Sequence, residues 1–342
     1  MIINDVVHGR KEIKEPVLVE LIQSKAMQRM KGICQQGVPE EYILKSQPSF
    51  CRYDHCVGTM LILKKLGASL EEQAAGLLHD VSHTAFSHVV DYVFGGGEKE
   101  DYQDSIHHTF FGSGTELAGI LEKHGMNPED ISDFGRYSLL EQEQPEMCAD
   151  RFDYTTRYWT VYGDRDFAKS CLNSAAARSG IMAFTSRDAA HEFAVRHTVW
   201  QPEWAGWGGT QFDMRIRWYL FGEALRIAMQ YSIVELKDFM GTDAFVMRKI
   251  DRARNPVITK IFKVLRKPLK YKVSSGGRPR LVLHSKFRYV DPLFMDGGEF
   301  RRLSDVDKRF VASTESHRRL NKIGIQLESI EGIDIPINNE QS

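Results

Sequence analysis

The chain has 342 residues, 42% hydrophobic and 27% charged, enough to bury one large core or two smaller ones. A formal net charge of -1 and a pI near 6.9 exclude a global basic field for nucleic acid and an acidic solvating tail. No run approaches the ~18 apolar residues of a membrane span, and the charged start MIINDVVHGRKEIKEP lacks the apolar segment of a signal peptide.

Residues 1 to 14 read as a short irregular or β start, with Asp5, His8 and Gly9 as turn material. From Pro16 to Gln36 the apolar positions recur at helical spacing, and Val57 to Leu66 reads as a second helix. Ser69, with Glu72 three residues on, forms a capping box for a helix that runs through "LEEQAAGLLHDVSH". A glycine-rich loop from Phe94 precedes a helical stretch from Ile106 to His124, and Asp150 to Tyr158 is helical and aromatic. Ala189 to Val199 and Phe212 to Tyr231 read as helices joined by "WQPEWAGWGG", whose Trp200, Trp204 and Trp207 pack a loop or stack a base. The basic run Lys260 to Lys272 fits an amphipathic helix with a solvated basic face better than a nucleic-acid contact. From Leu269 the pattern turns to strands around a Ser-Ser-Gly-Gly-Arg-Pro turn, and the tail from Glu328 fits a last strand. The expected architecture is mainly α: a helical N-terminal body with a smaller mixed α/β C-terminal region.

Cys34, Cys51, Cys56, Cys148 and Cys171 form no CxxC pair and are odd in number, which fits a reduced, cytoplasmic setting. The histidines and carboxylates are more informative. "LLHDVSHTAFSH", from Leu77 to His88, crowds three imidazoles and an aspartate against an apolar helix. His79 and Asp80, with His55 earlier and Asp150 much later, offer two imidazoles and two carboxylates from three segments. Such a mixed N/O set suits a borderline divalent metal, Fe, Mn, Ni, Co or Zn. No cysteine is needed, which argues against a structural zinc site. Four protein ligands leave open positions on an octahedral ion, the mark of a catalytic centre.

"RYDH" (Arg52 to His55), "HDVSHTAFSH" (His79 to His88) and "ADRFDY" (Ala149 to Tyr154) resemble the H…HD…D pattern of the HD phosphohydrolase superfamily. "NDVVHG" (Asn4 to Gly9) and "QRMKGICQQG" (Gln28 to Gly37) are similar to its deoxynucleoside triphosphate triphosphohydrolase branch, which includes the SAM-and-HD-domain dNTPases and bacterial relatives. The resemblance covers roughly residues 2 to 160, with a late echo in "KFRYVDPLF" from Lys286. It implies an HD-domain helical bundle over residues 1–165. Residues 166–342 would then form a helical extension and a mixed α/β region. The resemblance also implies a phosphohydrolase that binds His55, His79, Asp80 and Asp150 to the metal, with Mg as a further cation accompanying the substrate, and that forms homo-oligomers.

On the same resemblance His83 contacts phosphate, His88 is the general acid and Asp91 orients it. His107 takes a phosphate-binding slot, though the register could slip to His108 and a surface doublet is equally consistent. Arg52 and Arg151 match phosphate-binding positions, Tyr154 an aromatic against the sugar, and Gln35 a partner of the sugar hydroxyl. Ordinary packing or a surface salt bridge is the alternative for each of these four. Two positions depart from the pattern: Tyr158 stands where those enzymes carry a sugar-facing Asp, and Cys148 replaces their first acidic residue. The expected activity is hydrolysis of a nucleotide, foremost a dNTP to deoxynucleoside and triphosphate. Alternatives are another phosphorylated small molecule, such as a nucleoside monophosphate or cyclic nucleotide, or a non-catalytic regulatory or nucleic-acid-binding protein. The intact ligand set disfavours the last.

Overall fold

The computed structural model describes residues 1–43, 49–93, 102–199, 213–276, 279–284 and 286–334. The loop with Trp200, Trp204 and Trp207, most of the glycine-rich loop from Phe94, part of the Ser-Ser-Gly-Gly-Arg-Pro turn and the tail beyond 334 lie outside those residues.

The chain opens with a hairpin. Ile2–Asp5 pairs antiparallel with Gly9–Glu12, from Ile2 opposite Glu12 to Asp5 opposite Gly9. The Asp5 carboxylate closes the turn by accepting the N–H groups of Val7 and His8 at 2.9 and 2.8 Å. The helical pattern from Pro16 to Gln36 resolves into two helices, Pro16–Gln23 and Lys25–Arg29, and a tight turn at Met30–Gly32. The break is at Ser24, whose hydroxyl accepts the Met27 N–H at 3.2 Å and caps the second helix. The next helix, Arg52–Leu66, begins well before Val57, so Arg52 and His55 sit on its first turn. Ser69 caps Leu70–Leu78 by accepting the Glu72 N–H at 3.1 Å. The Glu72 carboxylate does not complete a capping box; it accepts the N–H groups of Leu139 and Leu140 instead. The stretch predicted as helix from Ile106 to His124 is interrupted, with helices at Tyr102–His107 and Glu116–Lys123.

Two apolar cores form. The first gathers Leu18, Leu21, Met60, Leu63, Leu77, Leu78, Val81 and Phe152 with later residues such as Phe184, Phe193 and Phe294. The second gathers Ala85, Phe86 and Val89 with Phe221, Phe239, Phe262 and Leu327. Both cores therefore draw on residues before and after position 165. The segment from His79 to His88 lies where they meet, with Leu77, Leu78 and Val81 in one and Ala85, Phe86 and Val89 in the other.

Two further sheets complete the fold. Ala175–Arg178, Ile181–Phe184, Leu293–Asp296 and Glu299–Arg302 form a four-stranded sheet in that order, antiparallel except for the parallel contact of Phe184 with Phe294. Its first hairpin turns at Ser179 and Gly180, both at positive φ. The expected C-terminal strands form a three-stranded sheet with Ile325–Ile330 at the centre, between Tyr271–Val273 and Leu281–Leu283. The basic run begins as the helix Pro256–Leu265, which buries Ile258, Ile261, Phe262 and Leu265 and turns its lysines outward, as its amphipathic pattern predicts. Among the described residues no helix is long and apolar enough to cross a membrane.

Candidate metal centre and active site

Three elements bring the predicted ligands together. His55 is on the first turn of Arg52–Leu66, His79 caps the C-terminal end of Leu70–Leu78 with Asp80 next to it, and Asp150 is on the first turn of Ala149–Val161. His55 Nε2 lies 3.2 Å from His79 Nε2, 3.0 Å from Asp150 Oδ1 and 3.6 Å from Asp80 Oδ2. His79 Nε2 lies 3.7 Å from Asp80 Oδ1 and 3.5 Å from Asp150 Oδ1. Ligand bonds of about 2.1 Å put cis neighbours about 3 Å apart, so these separations need only slight adjustment to close on one ion.

The far side of each ring fixes its tautomer. His79 Nδ1 meets the Gly76 carbonyl at 2.8 Å and His55 Nδ1 meets Asp153 Oδ2 at 2.9 Å. Both partners only accept, so each Nδ1 carries the hydrogen and each neutral ring turns an Nε2 lone pair inward. Two lone pairs and two carboxylates then face one point, which requires a cation or shared protons. Burial alone lowers the His55 pKa, but hydrogen bonds to Asp150 and Asp153 push it up to about 9. Burial works against the charge on Asp150, yet His55 and His79 hold its carboxyl well below the usual range. The donor set fits a divalent metal.

Behind His55 the support is ionic and dry. Arg157 grips Asp153 through two bonds of 2.9 and 3.0 Å and reaches Asp5 of the hairpin turn at 2.8 Å. All three side chains are nearly inaccessible. Gly58 makes the approach possible: a Cβ there would lie 1.9 Å from Asp153 Oδ1 and 2.0 Å from Arg157 Nη2.

The helix that delivers His79 stops at Leu78 and does not run through His83 as predicted. Turns replace it, with Val81 N–H donating to Leu78 O and His83 N–H to Asp80 O, both at 3.0 Å. His83 Nε2 thereby comes within 3.2 Å of Asp80 Oδ1. Burial and the nearby Arg52 charge push its pKa far down, so it is neutral. The Arg52 guanidinium bonds Asp80 Oδ2 through Nη1 and the Ser87 hydroxyl through Nε at 2.8 Å. The quarter-exposed His88 ring meets His83 edge-on and holds Asp91 Oδ2 through Nδ1 at 3.2 Å. His107 is buried against Phe111 and Phe134 and bonds Ser82 Oγ at 3.1 Å. Burial pushes its pKa down to about 4.

A cavity of about 440 Å³ opens on this group. Of the predicted residues His79, Asp80, Asp150, His83, His88, Gln35, Arg52, Arg151 and Tyr154 line it, whereas His55, Asp91 and His107 stand behind them. Arg151 spans Glu141 Oε1 and Cys148 Sγ, each at 3.1 Å, so a guanidinium occupies the second cluster of potential ligands, Glu141, Cys148 and Asp150. Burial, then the Asp150 charge, pushes the Glu141 pKa up to about 7. The Tyr154 hydroxyl meets His197 Nε2 at 2.7 Å. Burial pushes the His197 pKa down, so its ring is neutral.

Sequence reasoning missed several residues. Asp153 and Arg157 stand one helical turn apart in "DYTTR", an i, i+4 acid–base pair that signals a helix-face contact. Glu141, Asp104, Lys286 and Arg288 also line the cavity; the last two stand in the "KFRYVDPLF" segment without having been singled out, and Glu141 and Asp104 have no local pattern to mark them. Tyr158 is not among the lining residues; it stacks on Tyr162 at 5.8 Å.

The geometry defines a class: a helical domain that gathers two histidines and two aspartates around one point beside a cavity with arginine and lysine in its lining. The HD domain family model matches residues 52–157, the stretch that holds all four ligands. The uncharacterized protein YdhJ of Bacillus subtilis is 33% identical over 97% of this chain and 100% of its own. The metal-dependent phosphohydrolase cns2 of Cordyceps militaris is 38% identical over 48% of this chain and 46% of its own. A deoxynucleoside triphosphate triphosphohydrolase SAMHD1 homolog of Dictyostelium discoideum is 23% identical over 78% of this chain and 57% of its own. The chain thus spans about half the length of the latter two. It belongs to the HD-domain phosphohydrolase superfamily and is a metal-dependent phosphohydrolase.

Proposed function

We propose that the protein hydrolyses a nucleotide, foremost a deoxynucleoside triphosphate to deoxynucleoside and triphosphate. The supporting observation is the set of cationic side chains, Arg52, Arg151, Lys286 and Arg288, that line the cavity beside the ligand group. A chain of phosphates needs several cations at once, and guanidinium groups meet phosphate oxygens in pairs. Tyr154 supplies a ring face for the sugar, and the buried Gln35 Oε1, without a hydrogen-bond partner among the described residues, is an acceptor for a hydroxyl.

His55, His79, Asp80 and Asp150 would hold the metal, with Fe, Mn, Ni, Co or Zn as candidates. A divalent cation there supplies Lewis-acid polarisation of a phosphoryl oxygen and a lower pKa for water. The chain's own residues do the rest. Asp91 orients His88, and His88 Nε2 delivers a proton to the leaving oxygen. The neutral His83 steadies Asp80 and presents its ring edge to phosphate. Arg52 and Arg151 order the phosphates, and His107 braces the segment through Ser82. Homo-oligomers and a cytoplasmic location complete the proposal.

One observation favours a smaller substrate. Arg52 and Arg151 are already paired with Asp80 and Glu141, so their charges are balanced within the protein. That supports a nucleoside monophosphate or cyclic nucleotide as the second reading. Purified protein incubated with Mn, Co or Mg and a nucleotide panel decides by chromatography. Triphosphate with nucleoside supports the first reading, orthophosphate or ring opening the second, and no product with metal bound refutes both.

A further inference from the structure

We propose that Asp243 is a positioning residue for the reaction, reaching back from the C-terminal region to hold the histidine segment in its working conformation. This rests on the assignment of that segment to phosphoester hydrolysis.

The segment is strained where it must be placed accurately. Phe86 and Ser87 have φ of +67° and +48°, and neither is glycine. Such a conformation persists only where its surroundings impose it. The surroundings here come from far along the chain. Asp243 Oδ1 accepts the Phe86 N–H at 2.8 Å, and its Oδ2 accepts the Cys34 N–H at 2.8 Å. One carboxylate therefore ties the histidine segment to the turn that carries Gln35. The Ser87 hydroxyl closes the same ring, accepting from Arg52 Nε at 2.8 Å and donating to Cys34 O at 2.7 Å. Arg52 in turn holds the ligand Asp80.

Two neighbouring contacts fasten the other end. Arg29 Nη2 donates to Val81 O and His83 O at 2.7 and 2.8 Å, while its Nη1 reaches Gly241 O at 3.2 Å. Ala85 N–H donates to Phe239 O at 2.8 Å. The peptide from Phe239 to Asp243 thus grips residues 81 to 86 along their length. Gly37 shows how close the pieces lie, since a Cβ there would come within 2.4 Å of Phe86 O. Asp243 touches none of the four ligands and does not line the cavity. Its effect passes through backbone placement.

The test uses the full chain loaded with Mn. Asp243→Asn keeps the shape and one acceptor but turns an amide donor on a backbone N–H; Asp243→Glu keeps the charge and displaces it by a methylene. Metal content, amide hydrogen exchange of Cys34 and of residues 79–91, and turnover of p-nitrophenyl phosphate and of whichever nucleotide the wild type cleaves are measured for both. The expected result is retained metal, faster exchange at Phe86 and Cys34, and kcat lower by about 10- to 100-fold with KM within about threefold. Wild-type exchange at Phe86, or wild-type kcat despite faster exchange, overturns the proposal. A loss of activity that only tracks loss of metal also overturns it. If wild-type protein cleaves no phosphoester, the functional reading fails, and the placement role then stands or falls on the exchange pattern alone.

Discussion

At the scale of single residues, ligands and proton donors separate cleanly. His79→Ala and Asp150→Ala each remove one inward-facing atom, so both are expected to lose bound metal, read directly as metal per chain after gel filtration. His88→Ala touches no ligand atom and should keep the metal while turnover falls by about 10²- to 10⁴-fold. A full rate in that variant would exclude His88 as the acid. Gly58→Ala tests the outer support. Its methyl would fall on the Asp153–Arg157 pair, displacing the carboxylate that fixes the His55 tautomer. Metal affinity should drop by about 10- to 100-fold, the usual loss when the hydrogen-bond partner of a ligating histidine is disturbed, while the helix itself, gaining an alanine, stays intact.

Elements explain which features were legible before any coordinates. Ser24, with no apolar partner of its own, interrupts what periodicity reads as one helix, because its hydroxyl caps a new start. Ser24→Ala is expected to cost about 1 kcal/mol in a denaturant titration. Strongly periodic helices such as Ala149–Val161 and the β-prone runs near 271 and 281 declared themselves locally. The hairpin of Ala175–Arg178 and Ile181–Phe184 did not, since an alanine-rich run carries no alternation; its signal was the Ser-Gly pair alone. The convergence of His55, His79, Asp80 and Asp150, the candidate ligands, was legible because an H…HD…D spacing is a pattern in sequence. The turns after Leu78 were not, because the contacts that bend residues 80 to 88 come from Arg29, Phe239 and Asp243. Lys286 and Arg288 stood in a segment that echoes the family, but tertiary contacts alone bring them to the cavity.

For the whole molecule, buried neutral histidines link stability to pH. His197 is inaccessible, and burial pushes its pKa down to about 3; an unfolded histidine stays near 6.5. Above pH 6.5 neither state binds the proton. Below it the unfolded chain does and the folded one does not, so this group's contribution falls by about 1.4 kcal/mol per pH unit. Glu141 and Asp243, pushed up to about 7 and about 6, act in the opposite sense, because the folded state binds their protons first. Overall stability is therefore a poor readout, and the difference between wild type and His197→Gln is the useful one. That difference should shift in favour of the variant as pH falls from 6.5 to 5, measured by urea unfolding. A difference independent of pH would mean that His197 is charged in the folded protein.

The strand Ile325–Ile330 occupies the middle of its sheet although its two neighbours precede it by some forty residues or more. During synthesis those neighbours emerge as edges with nothing between them, and the second core stays open until the late strand arrives. The first core has most of its helices in hand long before. Vectorial synthesis thus favours a nascent chain whose N-terminal helices are packed while the second core is still open, and a ribosome stalled before residue 325 should display a protease-sensitive C-terminal half.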